Sequence, residues 1–174
     1  SSTLPASWLW ARENRRMARQ LPAEQAEALL ETDRAAAIAA FEAIAGYSDA
    51  AERAATLRYE DAEALLTTDR AAAIAAFEGI ADYSDAADRA SALRYEDASA
   101  LAKAGDWEAA AAIFDLIPGY EDATERADQL RYDAGVAFAE NGEWDKAAAA
   151  FTAMSGAENA TEQVNAFRYE AAEK

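Results

Sequence analysis

The chain repeats itself every 36 to 37 residues, and this period constrains its fold more than any single motif does. Leu57, Leu93, Leu130 and Phe167 open successive copies, Phe41, Phe77, Phe114 and Phe151 recur deep inside them, and Tyr47, Tyr83 and Tyr120 mark the exits. A unit of this length cannot bury its apolar face alone, so each copy must pack against its neighbours. The copies fall at 21–56, 57–92, 93–129 and 130–166, preceded by a basic, Trp-containing segment at 1–20 and followed by a half-helix at 167–174. Residues 32–65 and 68–101 differ at only about six positions, as expected of recent duplication or deliberate design.

Within a copy the pattern is helical. The run from Ser84 to Ala104 holds no Gly or Pro and predicts one long helix or two abutting ones. Gly105 and Gly142 sit where helix ends favour glycine, with Asp106 opening the next helix, and Thr32-Asp33 and Thr68-Asp69 fill the same turn in the earlier copies. A second helix is expected from about Asp69 to Ile80, with Ile74, Phe77 and Ile80 three apart on its buried face and alanines between them that let helices approach closely. Pro118-Gly119 marks the following turn in the third copy. Capping boxes are expected at Asp49 with Glu52, Asp85 with Asp88, Asp122 with Glu125 and Asn159 with Glu162. Acid-to-Arg pairs four apart are expected at Asp49 with Arg53, Asp85 with Arg89 and Asp122 with Arg126.

Ala98, Leu101, Gly105, Trp107, Ala110 and Phe114, echoed by Gly142, Trp144, Ala147 and Phe151, place a small residue, a turn glycine, an aromatic, an alanine and an aromatic in order. This pattern resembles the tetratricopeptide repeat across about residues 21–166. The unit is two or three residues longer than the usual 34, and the family's late proline is absent or displaced to Pro118. The resemblance implies an all-α fold, a right-handed α-solenoid of stacked helix-turn-helix repeats, and a concave groove lined by the first helices. Arg58-Tyr59, Arg94-Tyr95 and Arg131-Tyr132 recur on those helices and form the candidate groove, the alternative being that each Tyr packs between repeats.

Chemistry is narrowed by what is missing. There are no histidines and no cysteines, which removes the commonest general base, thiolate nucleophiles, disulfides and the usual transition-metal ligands. Acids are abundant, but they recur from copy to copy on caps and helix faces, whereas a glycosidase needs one asymmetric carboxyl pair in a cleft. A calcium loop is absent from the sequence as well. A net charge of −17 disfavours nucleic acid, whose binding needs a positive surface. No metal or cofactor is expected.

The charge is uneven. Residues 1–20 hold Arg12, Arg15, Arg16 and Arg19 against Glu13, a local net of +3, which leaves −20 on the remainder. Trp8, Leu9 and Trp10 beside this run have the composition of a membrane-surface helix. They also align with the repeat, Trp8 falling where Ile44 lies, which favours the end of a degraded earlier copy that covers the first intact one. At the other end the period breaks off at Lys174, with Phe167 and Tyr169 lacking the second helix that follows their counterparts. Trp8, Trp10, Arg12, Arg15, Arg16, Phe167 and Tyr169 therefore form a candidate end-to-end interface between copies of the chain. The expected function is non-catalytic protein-protein interaction or assembly, with a protein or peptide partner that includes other copies of the chain. The alternative is a structural subunit of a head-to-tail homopolymer, an extracellular filament for example; a carboxylate-based hydrolase is a distant third. The compartment stays open, a secreted or cell-surface setting being compatible with the composition.

Overall fold

The computed structural model describes residues 5–173; the side chains of residues 16–21 and 159 lie outside that description. Among the described residues the chain is all-helical, with no strand. The helices are α1 (Ala6–Leu29), α2 (Arg34–Ala43), α3 (Ala50–Leu65), α4 (Arg70–Gly79), α5 (Ala86–Lys103), α6 (Trp107–Asp115), α7 (Ala123–Glu140), α8 (Trp144–Thr152) and α9 (Ala160–Glu173), with a 3-10 turn at Ala157–Asn159. Long and short helices alternate as the sequence predicts. Within the run from Ser84 to Ala104, Ala86–Lys103 forms the single helix α5, and the boundary drawn between residues 20 and 21 falls inside α1, which continues through Pro22.

The chain divides into two compact units, Ser1–Ala87 and Asp88–Lys174. In the first, α1 packs on α2, α2 on α3 and α3 on α4. Its core joins Ala26 of α1, Ile38 and Phe41 of α2, and Ala50, Ala54 and Leu57 of α3. In the second, α6 packs on α7, α7 on α8, and α8 and α7 on α9. There Phe114 sits among Ala98, Ala111, Ala123 and Ala127, and Phe151 among Ala139, Ala147, Ala160 and Val164. The design is the same in both units: one large aromatic from each short helix fills a hole walled by alanines, so helices approach closely around a ring that is fully buried.

Two kinds of helix start alternate, and they use aspartate differently. Three of the short helices begin with a side-chain cap: Asp33, Asp69 and Asp106, at ψ 89°, 89° and 73°, accept from the backbone N–H of Ala36, Ala72 and Ala109, whereas α8 starts at Glu143 without one. Before the long helices the chain passes through left-handed residues, Ser48, Ser84 and Glu121, at φ 49°, 51° and 47°. That entry leaves Asp49 and Asp122 with ψ of 15° and 28°, outside the extended region a capping side chain needs, and neither makes the expected cap. The long helices end differently again, Gly105 and Gly142 turning the chain at φ 89° and 75°, where a side chain would strain the backbone.

Candidate functional site

The released aspartates explain the tyrosines. The Tyr59 hydroxyl donates to Asp85 at 2.5 Å, and Tyr95 makes the same bond to Asp122 at 2.5 Å. Each ring stands edge-on to the buried aromatic of its hairpin: Tyr59 lies 5.3 Å from Phe77 and 5.7 Å from Tyr83, Tyr95 5.3 Å from Phe114 and 5.8 Å from Tyr120. Tyr132 keeps the ring contact, 5.8 Å from Phe151, but tilts to 51°. These tyrosines are half-buried and turned into their own hairpins. The phenol of Tyr95 is pushed above its ordinary pKa because Asp122 accepts its proton in a hydrogen bond, an effect opposed by Arg126, which donates to the same oxygen at 3.0 Å.

Partners of the arginines are likewise distant in sequence. Arg53 turns to Glu27 at 2.9 Å rather than to Asp49, and Arg126 spans Tyr95 and Phe114, its guanidinium 5.5 and 5.2 Å from their ring centres, rather than pairing with Asp122. Arg58 pairs with Glu42 and holds that carboxyl below the usual range through this hydrogen bond. Arg131, sixteen residues after Asp115 as Arg58 is after Glu42, grips its carboxylate with both terminal nitrogens, at 3.0 and 2.5 Å. This clamp ties α3 to α2 and α7 to α6. Arg94 lies half-buried on α5.

Beside each clamp the short and long helices leave a groove. In the first unit α2, α3 and α4 line it with Glu42, Arg58, Asp61, Ala75, Ala76, Gly79 and Ile80. Here Arg34, at the start of α2, reaches Asp61 at 2.6 Å, Glu60 at 2.8 Å and the carbonyl of Leu57 at 3.1 Å. In the second unit α6, α7 and α8 frame the corresponding groove, about 600 Å³, lined by Trp107, Glu108, Ala112, Arg131, Phe138, Lys146, Ala149, Ala150 and Ala153.

The repeat register makes the difference between the two grooves interpretable. Trp107 stands where Arg34 does, Ala134 where Asp61 does, Phe138 where Leu65 does and Lys146 where Ala72 does. The ion cluster of the first groove is thus replaced by an aromatic pair, Trp107 edge-on to Phe138 at 6.2 Å, with the Lys146 ammonium 5.7 Å from the Phe138 ring. Lys146 also pairs with Glu143 at 2.9 Å, both side chains remaining largely in solvent, so that pairing is weak. The floor is apolar, with Ala149 and Ala112 exposed. An aromatic or aliphatic side chain fits such a surface, with Glu108 on its rim to receive a cation. Sequence reading took Trp107 only as a family-like anchor and missed this groove; correlated departures at the four register positions were the signal.

Of the candidate end residues, Trp8 and Trp10 are 42% and 69% exposed, with Leu9 between them at 51%. Arg12 lies 5.6 Å over the Trp8 ring, and Arg12 and Arg15 are exposed. The Arg16 side chain lies outside the described residues. Phe167 stacks on Phe151 at 5.8 Å, the rings within 5° of parallel, and is half-buried within its own unit, while Tyr169 is 67% exposed. Among the described residues no group of acids forms a metal cluster, and no helix is long and apolar enough to cross a membrane. No protein family, curated relative or solved structure matches the chain.

Proposed function

We propose that the chain is a non-catalytic interaction protein, a right-handed solenoid of tetratricopeptide-like hairpins that binds protein or peptide in grooves between its helices. The observation that carries this reading is the pair of register-equivalent grooves. Both keep the Arg-carboxylate clamp, whereas the lining around it changes from closed ion pairs to open aromatics. A constant frame with a variable groove is the arrangement a recognition scaffold needs. A carboxylate hydrolase would need one acid held protonated beside an ionised one. Glu42 is instead held ionised by Arg58, and Asp85 and Asp122 serve as acceptors for tyrosines.

A second reading, a subunit of a head-to-tail filament, is favoured by the exposed Trp8, Leu9 and Trp10 and the exposed Tyr169. The test for the main reading compares the intact chain with Ala149→Arg, which fills the second groove from an exposed position. Either chain is immobilised and challenged with fractionated proteins of the source cell and with itself. A partner held by the intact chain and lost by the variant supports the reading. A chain that holds no protein in a groove-dependent way, or one with a turnover abolished by a single folded Asp or Glu variant, overturns it.

A further inference from the structure

We infer that the α6–α7–α8 groove receives the Trp8–Arg15 segment of a second copy of the chain, an inference that rests on the interaction reading above. Consecutive residues on a helix point about 100° apart, so Trp8, Leu9 and Trp10 fan over more than half the circumference of α1. Their exposure of 42%, 51% and 69% shows that α2 does not cover them. Three adjacent large apolar side chains left in water are an association surface rather than ordinary surface scatter. The groove offers the complementary shape and chemistry. It is open, about 600 Å³, apolar along Ala149 and Ala153, and walled by Trp107 and Phe138, against which an indole can pack edge to face. An indole entering there also meets Lys146, already 5.7 Å from the Phe138 ring, as a cation over an aromatic.

Charge selects the same pairing. Residues 1–20 carry four arginines against one glutamate, whereas residues 88–174 carry 18 acids against 8 basic residues, a net of −10. Glu108 on the groove rim gives Arg12 or Arg15 a local acceptor, and the wider field orients a basic, Trp-bearing helix towards an acidic receptor. An acidic peptide would face the opposite field. Because donor segment and receptor groove are different surfaces, the contact is heterologous, and one copy can be held while it holds another.

The test uses complementation between full-length chains. Trp8→Ser/Trp10→Ser removes the donor and Ala149→Arg blocks the receptor; the substituted residues are exposed, and circular dichroism checks that both variants keep their helicity. Sedimentation across micromolar to millimolar concentration should show the wild-type mass rising beyond one chain and falling back with added salt, while each variant alone stays at one chain. An equimolar mixture of the variants retains one working donor and one working receptor, so it should form a two-chain species and nothing larger. A mixture that fails to pair, or single variants that assemble as the wild type does, overturns the inference. A wild-type chain that remains monomeric while holding a foreign protein in this groove also overturns it, yet leaves the interaction reading standing.

Discussion

Gly135→Ala should destabilise the second unit, although an alanine in a helix interior normally stabilises. Gly135 lies buried in α7, and a Cβ added there would meet three carbons of the Phe151 ring at 2.5, 2.7 and 2.8 Å. Helix propensity favours alanine by about 0.8–1.0 kcal/mol. Overpacking a filled core costs about 1–3 kcal/mol, and this site belongs at the upper end because the ring has nowhere to go. Phe151 is 1% exposed, stacked on Phe167 and flanked by Tyr132. The expected net is a loss of about 1–2 kcal/mol from these opposing terms.

The other copies supply the reason. Ala62 and Ala98 occupy the equivalent positions and are 0% exposed, and beside them Tyr59 meets Phe77 at 73° and Tyr95 meets Phe114 at 70°. In the last copy the missing Cβ lets Phe151 settle closer to α7, where it makes the 51° contact with Tyr132 and lies flat on Phe167. The assay is urea unfolding followed by circular dichroism, with Gly79→Ala as control. Gly79 ends α4 with nothing within 4 Å of a new Cβ, and its counterpart in the preceding copy is Ala43, so that substitution should stabilise by a few tenths to about 1 kcal/mol. In a Phe151→Leu background the penalty at Gly135 should vanish, a coupling of about 1–3 kcal/mol. Gly135→Ala as stable as the wild type, or equally costly with Leu at 151, would refute the reasoning.

Three further outcomes follow from the same geometry. Tyr59→Ala should lower the unfolding free energy by about 2–4 kcal/mol within one cooperative transition, because the ring is core to its hairpin; near-wild-type stability would place it in a free groove instead. Tyr95→Phe should cost about 1 kcal/mol at pH 8, measured by urea titration. The raised pKa of Tyr95 means that this contribution is complete below the unfolded tyrosine pKa of about 10 and is lost as pH rises through the folded value, so the gap between wild type and variant should close at high pH. Asp69→Ala should cost about 1 kcal/mol as a lost helix cap, whereas Asp49→Ala, whose side chain makes no cap, should stay within about 0.5 kcal/mol.

What the sequence disclosed and what it concealed divides by range. Alternating helices, the caps at Asp33, Asp69 and Asp106, and the turns at Gly105 and Gly142 depend on residues within one turn of each other, and their patterns were legible. Asp122 was misread because a spacing of three suggested a local cap, while the hydroxyl it accepts comes from 27 residues earlier, as that of Asp85 comes from 26. That spacing was itself written in the repeat. In the first copy Ala23 stands where Tyr59 does in the next, so Asp49 has no phenol to receive, and in the last copy Asn159 replaces the aspartate that would answer Tyr132. The pair is complete at Tyr59 with Asp85 and at Tyr95 with Asp122, while at each edge of the array one member stands without the other. The same comparison locates the groove: Arg34 and Asp61 are lost as a pair, becoming Trp107 and Ala134, because an arginine left near the groove without its carboxylate would be an unpaired charge, while both together would close the surface that Trp107 and Phe138 now open.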